Sequence, residues 1–204
     1  MAGRIIIDIF STLDGVAQGP GGRDEDTSGG FRFGGWQGPV TDEVVGDRIR
    51  EGIDALDALL LGRRTYDIFA AYWPHHGDPN PIGRRLNEVP KYVASRGAPA
   101  LEWSDSTLLG PDIAAEIDAL RERHREVHVI GSLDLAQTLI AQRLFDVLNL
   151  WVFPVVLGAG KRIFPEGVAP TGLRLLEPPV VAGTGAVLLR YAPAGDPQFA
   201  DIVD

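Results

Sequence analysis

The sequence predicts an α/β protein with a largely parallel sheet and an antiparallel hairpin at its C-terminal end. Two observations predict this class. Short apolar runs alternate along the chain with segments of helical periodicity, which is the pattern of β–α–β units. Near the C-terminus, extended segments 173–181 and 186–191 flank Gly183-Thr184-Gly185, which is typical of a hairpin turn.

Composition narrows the class further. The 204 residues are 45% hydrophobic and 23% charged, which fits one domain, here residues 1–192 with a loosely held tail 193–204. The absence of cysteine excludes disulfides, thiol catalysis and thiolate metal sites. No apolar run is long enough to cross a bilayer and no signal-peptide pattern is present, which favours a cytoplasmic protein without a membrane partner. The net charge of −9 argues against nucleic-acid binding.

The first element is a strand, because Arg4 to Phe10 is β-branched and almost entirely apolar. Asp8 is the exception within it, and two interpretations are open: it pairs with a neighbour, or its side chain reaches the strand's edge. Asp14 follows the strand and precedes Gly15. Ligands of open α/β sheets bind beyond the carboxyl ends of strands, so Asp14 is a candidate site residue, and equally a candidate turn residue.

A glycine-rich segment, residues 15–38, comes next. It contains nine glycines and almost no periodicity, and such long loops in compact domains are usually functional or disordered. Phe31, Phe33 and Trp36 lie in its second half, so we expect the segment to fold back on something. It is either a lid over a flat ligand or a hydrophobic latch onto the body or a second subunit.

A helix is predicted over 41–53, with Thr41 as a plausible N-cap. Asp42 and Glu43 suit the positive end of the helix dipole, and they are also carboxylates near a probable cleft. Both interpretations, catalytic and structural, stay open for them at this point.

The second strand, residues 59–61, stops at Gly62 and is followed by Arg63, Arg64 and Thr65 before helix 65–72. Backbone N–H groups, two guanidinium groups and a hydroxyl then meet at one point, which suits an anionic ligand. The alternative is a solvated pair of surface arginines. His75 and His76 follow the helix, but no third ligand lies at a useful spacing, so no metal site is predicted.

Two further strand ends carry similar groups. Strand 91–94 is followed by Ser95 and Arg96, and strand 127–130 is followed by Gly131 and Ser132. Ser132 can cap the helix that starts at Leu133 and extends to Arg143. Three such ends side by side could hold several phosphates, and arginine favours the 2′-phosphate of NADP over NAD.

The remaining elements continue the alternation, and they are a helix over 111–124 and a strand over 147–153. His128 alternates within an apolar strand, so we interpret it as a core histidine rather than a catalyst.

The order of these motifs resembles the dihydrofolate-reductase-like superfamily, and within it the RibD C-terminal domain family of riboflavin-biosynthesis reductases. The resemblance covers about residues 3–192. It is carried by Thr12-Leu13-Asp14-Gly15, Leu60 to Tyr66, the strand ending Ser95-Arg96, Val129 to Ser132, and Pro154 to Phe164 with its Leu-Gly-x-Gly loop.

The resemblance implies a three-layer α/β/α domain with a mostly parallel sheet of about eight strands, NADPH as hydride donor, and a homodimer. It implies that the backbone near Val16, Ala17 and Gly19 lies against the nicotinamide and that Asp14 lies near the reacting centre. The implied phosphate-binding residues are Gly62, Arg63, Arg64, Thr65, Ser95, Arg96, Gly131, Ser132 and Leu133.

The chain also departs from its relatives. The riboflavin-pathway enzymes typically carry a lysine in the first strand, where Asp8 or a neighbour stands here, and an acidic residue where Ile130 precedes Gly131. The 204 residues contain no segment that resembles their deaminase domain. Dihydrofolate reductases place a carboxylate on the first helix, where Asp42 or Glu43 could substitute. The substrate therefore does not transfer from either group.

The functional hypothesis is an NADPH-dependent reductase of a small heterocyclic substrate, of pyrimidine or pterin type. Asp14 is the first candidate for the proton source, and Asp42 or Glu43 the second. The candidate substrate-pocket residues are Trp36, Tyr66 and Trp73. The alternative is a non-catalytic, dimeric nucleotide-binding module. A hydrolase is disfavoured, because the chain has no Gly-x-Ser-x-Gly elbow and no histidine-rich metal spacing.

Overall fold

The computed structural model describes residues 2–202, and within this range the chain forms one nine-stranded sheet with five α-helices. The elements in chain order are β1 (Arg4–Thr12), α1 (Glu43–Ala55), β2 (Ala58–Gly62), α2 (Arg63–Tyr72), α3 (Pro81–Glu88), β3 (Lys91–Ala94), β4 (Ser106–Leu108), α4 (Ile113–Arg123), β5 (Glu126–Val129), α5 (Leu133–Ala141), β6 (Val147–Phe153), β7 (Leu173–Leu175), β8 (Val180–Val181) and β9 (Val187–Pro193).

The strand order is β4-β3-β2-β5-β1-β6-β9-β7, and β8 also pairs with β9. Every pairing among β1 to β6 is parallel, whereas β9 is antiparallel to β6, β7 and β8. The predicted mostly parallel sheet with a C-terminal antiparallel part is therefore confirmed. The predicted hairpin differs in one respect, because its first arm is divided into the two short strands β7 and β8.

The side chains of the central strand β1 alternate between the two faces of the sheet, and helices cover both faces. Ile5, Ile7 and Ile9 are buried against one set of helices, α4 and α5, through residues such as Ile117 and Leu139. The opposite face of the sheet is covered by α1, α2 and α3. Successive side chains of a strand point to opposite faces, so Ile6, Asp8 and Phe10 belong to this second face.

The glycine-rich segment is attached to the body of the protein by its aromatic side chains. Phe31 and Trp36 are buried in a cluster with Val16 and Phe153, and the Trp36 ring packs edge-on against Phe153. The Trp36 indole N–H donates to the backbone oxygen of Gln18 at 2.9 Å. These contacts correspond to the hydrophobic latch rather than to aromatic rings that cover a ligand.

Two predicted helix starts need correction. Helix α1 begins at Glu43, and its N-cap is Asp42 rather than Thr41, because the Asp42 carboxylate accepts from the Val45 N–H at 3.0 Å. Helix α2 begins at Arg63, two residues earlier than predicted, directly after Gly62. Both arginines of the Gly-Arg-Arg-Thr motif therefore lie in the first turn of a helix.

No helix among residues 2–202 is both long enough and apolar enough to span a membrane.

Candidate functional site

A large cleft opens at the carboxyl ends of the parallel strands and extends as far as Arg4 and Glu126, at the starts of β1 and β5. Strands β3, β2 and β5 are neighbours in the sheet, so the three strand ends that the sequence singled out meet at one edge. The cleft has a volume of about 2170 Å³. Pockets for drug-sized ligands have roughly 300–1,000 Å³. The space is therefore sufficient for a dinucleotide together with a second small molecule.

Two helix N-termini open into this cleft. Helix α2 starts after Gly62 and α5 starts after Ser132, and in neither case does a side chain of the described residues cap the first turn. The cap predicted for Ser132 is therefore not formed. Uncapped N–H groups and the positive end of the helix dipole favour an anion at both positions.

The two helix starts are packed tightly against each other. The Gly62 N–H donates to the Gly131 oxygen at 3.1 Å, and a Cβ atom at Gly62 would overlap the Ser132 hydroxyl. Gly131 has φ +119°, and a Cβ there would lie 2.7 Å from the Thr65 hydroxyl. Only glycine fits both positions, so the Gly62 and Gly131 motifs form one structural unit.

The arginines of α2 hold two different partners. The Arg63 Nε donates to both carboxylate oxygens of Asp67, at 2.6 and 2.7 Å. Arg64 donates to the Ser28 hydroxyl at 2.8 Å and lies 3.6 Å from the Asp26 carboxylate. Both guanidinium groups are about half exposed on the cleft wall. Arg64 therefore connects the start of α2 to the glycine-rich segment.

Asp26 is the anchor of that segment. Lys161 donates to the Asp26 carboxylate at 2.6 Å and to the Ser28 hydroxyl at 2.7 Å. Burial opposes the charged form of Asp26, but the hydrogen bonds from Lys161 and Ser28 outweigh it and lower its pKa to about 2. Gln18 adds to the anchor by accepting from the Lys161 N–H at 3.0 Å. The segment is thus fixed beside the cleft by charge as well as by apolar contacts.

The structure brings nearly all of the predicted cofactor residues to the cleft wall. Val16 is the exception, since it is fully buried in the cluster beneath the glycine-rich segment. The residues that line the cleft are Ala17, Gly19, Gly62, Arg63, Arg64, Thr65, Ser95, Arg96, Gly131, Ser132 and Leu133.

The three predicted catalytic carboxylates are not part of the cleft wall. Asp14 accepts from the Thr12 hydroxyl at 2.6 Å and from the backbone N–H groups of Leu157 and Gly158 at 3.2 and 2.8 Å. The hydrogen bond from Thr12 is the largest influence and lowers the pKa of Asp14, with burial opposing it. Asp14 is therefore an ionised structural group, as in the turn interpretation, and an ionised carboxylate is a poor proton donor.

Asp42 and Glu43 belong to the start of α1 and also lie outside the cleft wall. Besides capping α1, the Asp42 carboxylate accepts from the Thr184 N–H at 3.1 Å in the turn before β9. The hydrogen bond from Val45 lowers the pKa of Asp42, with burial opposing it. The geometry gives Asp42 a structural role and gives Glu43 no contact with the cleft.

Of the three aromatic residues predicted for the substrate pocket, Trp73 lines the cleft. Trp36 and Tyr66 are buried behind its wall instead. The Tyr66 hydroxyl accepts from the Trp103 N–H at 3.0 Å, and the two rings lie 6.2 Å apart. Tyr66 therefore packs α2 onto the sheet rather than facing a ligand.

The cleft also contains a set of polar residues that the sequence analysis did not assign to it. They are His128, Asp8, Asn149 and Arg190, which lie side by side on β5, β1, β6 and β9, and we call them the polar row. The pairing register places Asp8 opposite Asn149 and Asn149 opposite Arg190.

Hydrogen bonds run along the whole polar row. His128 Nδ1 lies 2.7 Å from one Asp8 oxygen, and Asn149 donates to the other at 2.8 Å. Arg190 Nε in turn donates to the Asn149 oxygen at 3.0 Å. The side chain of His128 is 4% exposed and that of Asp8 is 22% exposed, so the row is buried at one end and open to the cleft along its length.

His128 is buried, as predicted for a core histidine, but its ring is paired with Asp8 in the row that lines the cleft. Burial opposes its protonation, but the Asp8 charge and hydrogen bond, with a smaller effect of Glu126, raise the pKa of His128 overall. His128 Nε2 lies 3.8 Å from a Glu126 oxygen and has no hydrogen-bond partner among the described residues. The sequence signal for this pair was a single polar residue within each of two apolar strands, Asp8 in β1 and His128 in β5.

Among residues 2–202, no cluster of three or more histidine, aspartate or glutamate side chains has the geometry of a metal site.

Comparison with known proteins agrees with this architecture. The family model of the RibD C-terminal domain matches residues 4–178. A relative from Bacillus subtilis (strain 168), the uncharacterized protein YyaP, is 27% identical over 178 residues, which cover 85% of this chain and 87% of the relative.

Two solved structures show the same fold. A Shewanella sp. PV-4 protein assigned to riboflavin biosynthesis matches with a TM-score of 0.71 at 20% identity, covering 95% of this chain and 99% of that one. Dihydrofolate reductase from Enterococcus faecalis, in a complex with NADP(H), matches with a TM-score of 0.56 at 15% identity, covering 95% and 98%. The predicted dihydrofolate-reductase-like fold is confirmed.

Proposed function

Because this chain belongs to the RibD C-terminal domain family, we propose that it is an NADPH-dependent reductase of a small heterocyclic substrate, of pyrimidine or pterin type. The family and the fold support a reductase. The observation that carries the cofactor assignment is the meeting of three anion-suited strand ends in one cleft large enough for a dinucleotide and a substrate.

The residues of the cleft fit NADPH by their chemistry. The uncapped starts of α2 and α5 offer backbone N–H groups to a pyrophosphate. Arg63 and Arg96 offer guanidinium groups, which suit the additional 2′-phosphate that distinguishes NADPH from NADH. When bound, the reduced nicotinamide would supply the hydride. The protein's own contribution is to bind, to orient the two reactants and to exclude water.

We further propose that the protein acts in the cytoplasm and as a homodimer. The support for the first is the absence of cysteine, and the support for the second is the homodimer that the sequence resemblance implies.

Titration of the protein with NADPH and NADH, followed by nicotinamide fluorescence, tests the cofactor assignment. The variant Arg63→Ala should weaken NADPH binding by about tenfold or more, since a charge-assisted hydrogen bond is lost, and should change NADH binding much less. Arg50→Ala is the matched control, because Arg50 is also a helix-surface arginine paired with an aspartate, Asp47, but it lies outside the cleft wall. Equal losses for both cofactors would show that Arg63 does not recognise the 2′-phosphate.

The non-catalytic, nucleotide-binding module is the second candidate. The observation in its favour is that Asp14, Asp42 and Glu43 all lie outside the cleft wall. Tight NADPH binding without any oxidation in the presence of pterins or pyrimidines would support this candidate over the reductase.

A further inference from the structure

The polar row is unusual for its place in the fold. Central strands of a parallel sheet are buried on both faces and are normally apolar, as Ile5, Ile7 and Ile9 are on the other face of β1. Asp8, Asn149 and Arg190 are nevertheless paired at one level of β1, β6 and β9. His128 on β5 lies opposite Ile6, two residues before Asp8, and all four polar residues line the cleft. Buried polar groups reduce stability unless they are hydrogen-bonded, so packing alone does not account for the row.

The internal hydrogen bonds leave capacity for a ligand. The Asp8 carboxylate accepts one bond at each oxygen, from His128 and from Asn149, and each carboxylate oxygen can accept a second bond. Arg190 uses Nε on Asn149 and one terminal nitrogen on Glu177 at 3.2 Å, and a guanidinium has five donors in total. The row therefore presents a hydrogen-bond acceptor beside a hydrogen-bond donor to the cleft.

Other charged groups surround the row without neutralising Asp8 directly. Glu126 lies beyond His128 and is paired with Arg4. Arg48 and Glu51 of α1 line the same cleft, and they are ion-paired with each other at 2.7 Å. Asp8 and Glu126 are thus both strand carboxylates that line the cleft, but Glu126 is paired with Arg4, and Asp8 is the more exposed, at 22% of its side chain against 15%.

We propose that the polar row is the substrate-recognition surface, and that Asp8 accepts hydrogen bonds from the amino or ring N–H groups of a nitrogen heterocycle. Arg190 and Asn149 then face an acceptor atom of the same ligand. A carboxylate attracts N–H donors and repels carbonyl oxygens, so the surface selects amino-substituted heterocycles over quinones and simple ketones. The inference rests on the proposed function, since it names the substrate class of the same cleft.

Calorimetric titration with two matched probes tests the proposal. The probes are 2,4-diaminopyrimidine, which has N–H donors, and 2,4-dimethoxypyrimidine, which has the same ring without them. Wild-type protein should bind the diamino probe at least about tenfold more tightly, the ratio expected when a hydrogen bond to a charged acceptor is lost. Asp8→Asn should remove this preference. Asp118→Asn, an exposed aspartate on α4, should retain it.

NADPH affinity, measured on the same samples, separates this proposal from the proposed function. Asp8→Asn should bind NADPH like the wild type, because the side-chain hydrogen bonds of Asp8 go to His128 and Asn149 and to none of the residues proposed to hold the phosphates. Loss of probe selectivity in the wild type, or full retention in Asp8→Asn, would overturn the role of the polar row. Selective probe binding without NADPH binding would overturn the cofactor assignment instead. If Asp8→Asn fails to fold, the two-probe comparison on the wild type alone decides, and equal affinities overturn the proposal.

Discussion

The variant Gly131→Ala should disrupt the unit that joins the starts of α2 and α5. Gly131 has φ +119°, a conformation that residues with a side chain rarely adopt, and its new methyl group would lie 2.7 Å from the Thr65 hydroxyl. Backbone strain of this kind costs about 1–3 kcal/mol, and overpacking a tight site costs about 1–3 kcal/mol. We therefore expect the free energy of unfolding to fall by about 2–6 kcal/mol.

Urea denaturation followed by fluorescence measures this loss of stability. Titration with NADPH at urea concentrations below the unfolding transition measures the affinity of the cleft. NADPH affinity should fall by about tenfold or more, because Thr65 and the Gly131 backbone both line the cleft and must separate. Gly46→Ala is the control, since Gly46 lies in α1 with no atom within 4 Å of a new Cβ, and alanine there should raise stability by about 0.5–1 kcal/mol. If Gly131→Ala matched the wild type in both measurements, the tight contact between the two motifs would be refuted.

Two further predictions concern groups outside the cleft wall. Lys91 is fully buried, and burial lowers its pKa to about 8 while Asp105 opposes the shift. The folded state therefore binds fewer protons than the unfolded state between about pH 8 and 10.5, so wild-type stability should rise with pH there. Lys91→Met should raise the free energy of unfolding at pH 7 by up to about 3 kcal/mol, and this gain should vanish near pH 10.5. Urea titrations of both proteins at the two pH values measure the gain. A gain that is the same at both pH values, or that is larger at the higher pH, would contradict the prediction. Asp42→Ala should lower Tm by about 2–6 °C, because α1 loses its cap and the turn before β9 loses a bond, while kcat stays unchanged well below Tm. If Asp42→Ala lost activity while its Tm stayed at the wild-type value, Asp42 would have the catalytic role that the sequence suggested. Asp47→Ala, which breaks only a surface ion pair, serves as the control.

The meeting of three polar strand ends in the cleft could be predicted because its signals are local. Gly62 with Arg63, Ser95 with Arg96, and Gly131 with Ser132 each follow directly after an apolar strand. Parallel strands place their carboxyl ends at one edge, so the meeting of these motifs needs only the right strand order. The residues at each strand end and the general rule for parallel sheets were therefore sufficient to predict that these groups meet.

The polar row could not be predicted in the same way, because it depends on register between distant strands. His128 and Asp8 are 120 residues apart, and Asn149 and Asp8 are 141 apart. Each is an ordinary exception within an apolar strand, and a shift of one residue would turn it to the opposite face. Asp14 shows the converse, since the N–H groups of Leu157 and Gly158, over 140 residues away, hold its carboxylate outside the cleft wall where the sequence had placed it.

The central position of β1 has a consequence for the synthesis of the protein. Its two neighbours in the sheet, β5 and β6, begin at Glu126 and Val147. A ribosome that adds about 5–20 residues per second needs roughly 6–25 s to reach them after completing β1. Through that interval a β-branched segment, Ile5-Ile6-Ile7, has no partner strand and is open to pairing with other nascent chains. During synthesis β1 must therefore stay unpaired until β5 and β6 have been made. For the same reason, refolding from denaturant should be slow and sensitive to protein concentration.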